Sequence, residues 1–490
     1  MTRRPLLLAL LLLPALLAAC SETLECPVGE VGCGGACVSL ATDAANCGAC
    51  GNACGLGFCS DGSCTCAPGT IACGGRCVDR ESDPAACGSC EIACAAEQVC
   101  SLGACAAACA AGLTGCDRAC VDLSADRYHC GSCGVACGPG QSCHGGTCRS
   151  VAVACLATDE VRTVSPDLAW SGPVHPAGDG PVSLALLGEQ LFVANSLSHS
   201  LSAFPVGGGA ARELLFPGGS DFENVVAHAG RLFVSGSGTG TLLVVDPGTG
   251  DVLDEIALGP TNANPLGVAF VEDRAYVALY GQSFLGENEP QVGQAIAVVD
   301  FAGVEGCTGA PCGTLLGEIS VLAAADAPGY PFPSRAVSVG RKVYVTLANL
   351  RRGDWGYYTE PAGHGRLAVI DAERSDALSI TDLGEGCQNP GGIALHGSTL
   401  WVSCGAFATQ ALLPVALGAG GEPTPGTPVP VAPIAPGRIA FCAGRGFVGD
   451  QYSGDLLAFD PADPDTRWGL TVCPLSQAGW ALAADVACAP

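Results

Sequence analysis

The 490-residue chain has 14% charged residues, a formal charge of -26, 70 Gly, 33 Cys and one Met, the first residue. Soluble domains are about one quarter charged, so Gly and small polar side chains must keep this surface wet. With 21 basic residues against 47 acids, recognition of nucleic acid or anionic lipid through a basic patch is excluded, and the length predicts more than one domain.

Residues 1–19 read MTRRPLLLALLLLPALLAA, with two arginines followed by an apolar stretch and small residues. The order predicts an export signal and a mature chain in an oxidising compartment. Leu17, Ala18, Ala19 and Cys20 resemble the lipobox of bacterial lipoproteins. That resemblance implies acylation of Cys20, a lipidated segment over 20–25, and, with Ser21 following the cysteine, anchoring in the outer membrane.

From Cys26 to Cys148 the cysteines form three sets of eight, over 26–64, 66–105 and 109–148. The intervening residues number 6, 3, 9, 2, 3, then 4 or 5, then 4 in each set. Units of about 40 residues bury too little apolar surface to fold on a core, and four disulfides per unit would replace it. Eight cysteines allow 105 pairings, so the spacing assigns no connectivity. A zinc ribbon would need two CxxC pairs per metal, whereas each copy has one, and disulfides are the expected state. Asp43, Asp83 and Asp126 precede the CxxC by four residues and are expected to form turns by accepting their own backbone N–H groups. The shared CxxxCVxLxxDxxxCGxCGxxC core resembles the stigma-specific cysteine-rich family in tandem. It implies a secreted, disulfide-bonded interaction or spacer module.

After Cys148 short apolar runs alternate with period two. A two-strand phrase begins at Val182, Asn224, Leu266, Ser334, Gly391 and Gly437, and its first half recurs from Trp480. Two further strands follow most copies, as from Thr241 and Gly454. Four antiparallel strands repeating at this interval predict a mainly β fold with an antiparallel β-propeller over 151–490, with seven blades favoured over six. VAVACL and VRTVS near Val151 would complete the last blade and close the ring. The phrases resemble the YVTN-type propeller repeat, a family that includes surface and binding proteins, with lactonases among related propellers. Cys307 and Cys312 bracket a turn, and Cys155 is expected to pair with Cys488 across the closure.

In such a blade the second-to-third loop and the connection to the next blade share one face. Residues 281–294, 325–333 and 349–365 therefore converge in one sector. They supply Glu287, Glu289, Tyr330, Arg351, Arg352, Asp354, Trp355, Tyr357, Tyr358 and His364 as ligand-binding residues, rich in the Trp, Tyr and Arg of binding hot spots. In a binding role Trp355 and Tyr358 would be removable without loss of stability. The expected function is non-enzymatic binding of an envelope or extracellular protein or glycan, with membrane attachment through lipid and no cofactor. One alternative is a lactonase-like hydrolase using Ca²⁺ held by Asp221, Glu223, Asn264, Asn389 and Asp450. The other is a structural envelope protein without a discrete ligand.

Overall fold

The computed structural model describes Cys26 and most of residues 31–490. Residues 1–25, 27–30, 35, 42, 44, 55–56, 61, 67–69, 207–208, 217–220, 283–290, 302, 355, 407–408 and 477–481 lie outside the described set, and with them Cys20, Glu287, Glu289 and Trp355. The chain forms two compact units, Met1–Val121 and Asp122–Pro490.

In the first unit the disulfides follow one pattern, first cysteine to third, second to fifth, fourth to seventh and sixth to eighth. Cys26–Cys37, Cys33–Cys50, Cys47–Cys59 and Cys54–Cys64 form the first set. Cys66–Cys77, Cys73–Cys90, Cys87–Cys100 and Cys94–Cys105 form the second. The fourth-to-seventh and sixth-to-eighth bridges pack together as a core of sulfur. Both cysteines of each CxxC are bonded elsewhere, so no thiolate pair is left for zinc. Asp43 Oδ1 accepts from the N–H groups of Ala45 and Asn46, and Asp83 Oδ1 from that of Ala85, the expected turn role. Glycine recurs after the CxxC's first cysteine for a reason of space. A Cβ on Gly48 would lie 2.5 Å from the Gly62 carbonyl oxygen, and one on Gly88 2.6 Å from that of Gly103.

Among its described residues, the second unit is a propeller-like ring built from seven antiparallel sheets of at least four strands each. Six start from innermost strands Pro181–Leu187, Phe222–His228, Pro265–Val271, Pro333–Val339, Pro390–His396 and Pro436–Cys442. Each second strand is a β-branched and aromatic run, such as Leu-Phe-Val in Gln190–Asn195 or Tyr-Val-Thr in Lys342–Leu347, buried on both faces between neighbouring sheets. Seven apolar clusters result, one in each space between adjacent sheets. Full burial of side chains such as Trp401, Tyr276 and Phe233 is worth about 1.5–3 kcal/mol each.

The seventh sheet uses both ends of the chain. Ala483–Ala489 is innermost, followed outwards by Thr147–Cys155, Glu160–Val164 and Ser171–Pro176. Pairing from Ser150↔Ala489 to Cys155↔Ala483 closes the ring, leaving no open edge at the joint. Thr147–Cys155 also pairs with Ser142–His144, the last hairpin of the third cysteine repeat. One strand therefore crosses the boundary expected between residues 148 and 151. The second half of that repeat packs within this unit. The Arg127 guanidinium lies 4.2 Å from the Trp170 ring centroid, and Gln141 Nε2 donates to the Pro490 carbonyl at 2.9 Å.

The expected Cys155–Cys488 bridge is corrected. Cys155 bonds Cys473 and Cys488 bonds Cys442, both joining the sixth sheet to the closing one. Cys155 lies opposite Ala483 and Cys488 opposite Val151, so the register sets the two cysteines at opposite ends of their strand pair. Cys307–Cys312 forms as expected, and Cys387–Cys404 completes the set.

Candidate functional site

At the start of every innermost strand the ladder shifts register, between Pro181 and Ser183 in the first sheet and between Pro436 and Ile439 in the sixth. The same shift occurs at Phe222/Asn224, Pro265/Val268, Pro333/Ala336 and Pro390/Ile393, and at Ala154/Cys155 in the closing sheet. A bulge bends a strand and re-aims the side chain beside it. Here the third residue of each strand belongs to a belt around the axis: Ser183, Asn224, Gly267, Arg335, Gly392, Arg438 and Asp485. Glycine precedes each arginine around the ring because neighbouring strands come close. A Cβ on Gly267 would sit 2.7 Å from Arg335 Cα, and one on Gly392 3.0 Å from Arg438 Cα.

Arg438 is engaged through both terminal nitrogens. Its Nη1 donates to Ser183 Oγ at 2.7 Å, Asn224 Oδ1 at 3.0 Å and Asp485 Oδ2 at 2.8 Å, and Nη2 to the Glu223 carbonyl at 3.0 Å. One guanidinium thus joins the sixth sheet to the closing, first and second. Asp485 also accepts from the N–H groups of Leu184 and Val486. Burial pushes the Asp485 carboxyl above the ordinary Asp range, opposed by Arg438 and these N–H groups. Arg335 differs: among the described residues its guanidinium makes one hydrogen bond, to the Leu266 carbonyl at 3.1 Å.

The belt divides two cavities. One, of 240 Å³, opens at the strand starts and is lined by Arg335, Arg438, Tyr280, Asn389 and Gln451 among others. The other, of 200 Å³, has Val225, Val268, Ile393 and Ile439 in its wall. The first is a polar mouth on the face that carries the second-to-third loops, where the ligand residues were expected. The axial arginines escaped the search for motifs because no local motif carries them. Aligning the phrases on the proline that opens five of them, and reading the third position, is the signal that finds them.

Leu350–Arg352 pairs against Tyr358–Pro361 as a hairpin. Its base is joined to 325–333 by a bridge between Tyr330 and Leu350. Asn349, fully buried, donates from Nδ2 to Asp326 Oδ2 at 2.8 Å and to the His364 carbonyl at 2.7 Å. Gln294 ties in the described end of 281–294, its Oε1 accepting from Phe332 N at 2.8 Å. The described parts of the three segments therefore do share a sector.

Their aromatics do not share a role. Strand alternation turns Tyr357 and Tyr358 opposite ways. Tyr358 is 9% exposed and packs on Phe332 and Tyr330, with ring centroids 5.2 and 5.6 Å away, whereas Tyr357 is 50% exposed. Tyr358 is therefore placed as a packing residue that supports the hairpin, not as a displayed one. Tyr280 continues this cluster, 4.9 Å from Phe332, and lines the polar mouth. Arg351 pairs with Glu360 at 2.6 Å and His364 Nδ1 with Asp382 Oδ1 at 2.9 Å, both across partly exposed surface, while Asp354 is exposed and Arg352 half-buried.

Asp326 receives both Arg366 Nη2 contacts at 2.8 Å. The Asn349 amide, then Arg366, hold its carboxyl below the ordinary Asp range. A depressed native pKa contributes stability that is complete above the unfolded value and lost as pH falls through the native one. Asp326→Asn should therefore flatten the fall in urea stability below about pH 4. A fall as steep as in the parent chain would show that this carboxylate does not supply it.

The residues weighed for Ca²⁺ are dispersed. Asp221 and Asn264 line one surface depression, Glu223 accepts from Ser196, and Asn389 sits at the mouth. Asp450 is committed to its own turn and the strand entry beside it, accepting from the N–H groups of Tyr452 and Ala435 and from Ser453 Oγ. Among the described residues, the groups of three or more Asp, Glu, His or Cys with ligand atoms in common reach are cysteines already in disulfides.

Residues 101–151 match the model of the stigma-specific STIG1-like protein family. No curated protein matches the chain. Among solved structures, a catalytically inactive variant of virginiamycin B lyase from Staphylococcus aureus with quinupristin is similar at 11% identity and TM-score 0.47, over 69% of this chain and 97% of that one. A Lactobacillus plantarum protein is similar at 14% identity and TM-score 0.47, over 66% and 96%. AztD from Citrobacter koseri is similar at 12% identity and TM-score 0.42, over 69% and 97%.

Proposed function

We propose that the chain is an outer-membrane lipoprotein, acylated at Cys20, whose disulfide repeats space a non-enzymatic binding propeller from the bilayer. Its partner is an envelope or extracellular protein or glycan, met by the hairpin of residues 350–361 and the polar mouth beside it. The observation that carries this reading is the division of labour in the hairpin. A buried Tyr358 fixes a strand whose next-door Tyr357 is presented outwards, an aromatic surface whose ordering cost is met in folding rather than in binding.

The test uses the chain from Ser21, immobilised and exposed to envelope extract, with thermal melting of each variant. Tyr357→Ala should abolish capture and leave the melting curve unchanged. Tyr358→Ala should cost roughly 3 kcal/mol in stability, the lower end of the range for a truncated buried ring. A partner retained equally by parent and Tyr357→Ala chains would refute the hairpin as the binding surface.

A further inference from the structure

The polar mouth holds a cation with unused donors. An arginine carries five N–H donors in a fixed plane, and the Arg335 guanidinium spends one on the Leu266 carbonyl. Among the described residues it has no carboxylate within ion-pair distance. Asp485 is bound by Arg438, and the Glu223 carboxylate accepts from Ser196. Tyr280 lines the same cavity, and its hydroxyl makes no hydrogen bond among the described residues. Burial pushes that phenol up to about 12, so it stays a donor at neutral pH. Burial first, and Arg438 second, push Arg335 down to about 9 against the opposing attraction of the Asp485 and Glu223 carboxylates, and it is still cationic at pH 7.

We propose that the axial mouth is a binding site for a small oxyanion, held by the free edge of the Arg335 guanidinium and the Tyr280 hydroxyl. Three features point to that class. The donors are a planar fork and a hydroxyl, which suit a carboxylate or phosphate oxygen pair better than a single-atom ion. The cavity of 240 Å³ has room for such a group and little more than a short chain attached to it. In a chain of formal charge -26, a half-buried guanidinium with no carboxylate within ion-pair distance among the described residues stands against the general field, and the field of the remaining surface would not gather anions nonspecifically. Glycine at the preceding belt position, Gly267, lets the Arg335 backbone come close enough to the neighbouring strand for this placement. The mouth belongs to the surface proposed for the partner, but oxyanion binding there does not depend on capture by the hairpin.

The test measures the melting midpoint of the full chain against sodium acetate and sodium phosphate at constant ionic strength, with sodium chloride making up the balance. A ligand that binds only the native state raises the midpoint in a saturating manner. The parent chain should show such a rise with at least one of the two oxyanions. Acetate alone assigns a carboxylate ligand, phosphate alone a phosphate, and both a site that does not discriminate. Arg335→Gln should weaken the response tenfold or more, the effect of losing a charged donor pair. Tyr280→Phe keeps the ring packed on Phe332 and removes only the hydroxyl, so it should raise the half-saturating concentration severalfold, and it decides the matter if Arg335→Gln does not fold. No rise with either oxyanion, or equal rises in the parent chain and in the folded variants, would overturn the site.

Discussion

Arg438→Met should cost about 3–5 kcal/mol of stability, the effect of removing one partner from a buried ion pair. The substitution keeps most of the aliphatic volume and deletes four hydrogen bonds to three other sheets. It also leaves the Asp485 carboxylate, 6% exposed, with backbone N–H groups as its remaining partners. The uncompensated charge, more than the lost bonds, sets the size of the effect. Adding Asp485→Asn should therefore recover more than half of it, because the amide oxygen still accepts from Leu184 N–H without carrying charge. Urea denaturation of the two variants measures both numbers. A loss below about 1 kcal/mol for Arg438→Met would show that water in the channel replaces the guanidinium.

The ring was readable because its signals are local and repeated. Phrases starting at Val182, Asn224, Leu266, Ser334, Gly391 and Gly437 fall one or two residues inside the observed innermost strands. Alternation, turn residues and the recurring second-strand aromatics are each set within a dozen residues. The closing strands were readable as well, VAVACL and VRTVS each falling in Thr147–Cys155 and Glu160–Val164 but for their last residue. What escaped is where the repeat module ends. The strand Thr147–Cys155 serves a cysteine hairpin with its first residues and the closing sheet with the rest, and the change in composition at Cys148 conceals that continuity.

The site was half legible for a physical reason. A long loop rich in Tyr and Arg marks a specialised surface, but composition does not separate the rings that display from the rings that support. Tyr357 and Tyr358 are chemically the same and differ only in strand phase, which is fixed by the pairing of Arg352 with Tyr358. Arg335 and Arg438 lie 103 positions apart in the chain and meet only through ring closure. Their shared feature is a position within a repeat, and a repeat alignment read column by column carries it where a motif search does not.

Replacing Cys155 and Cys473 together by Ser should destabilise the second unit by roughly 3–5 kcal/mol, toward the upper part of the range for a disulfide. The bridge spans 318 residues of sequence, whereas Cys307–Cys312 spans 5. Cross-links closing longer loops remove more entropy from the unfolded chain. Position adds to length here. The closing sheet takes its innermost strand from one end of the unit and its other three from the opposite end, so fraying of Ala483–Ala489 would open the ring and expose the cluster of Val151, Val153, Phe447 and Val486. Cys442–Cys488 holds the same joint from the innermost strand, over only 46 residues. Loss of the long bridge should thus raise the unfolding rate and the sensitivity of the C-terminal strand to proteolysis, while Cys307→Ser with Cys312→Ser should change stability by no more than about 1 kcal/mol. Chemical denaturation with limited proteolysis reads both. Equal losses from the two double replacements would show that loop length and ring closure do not govern the contribution of these disulfides.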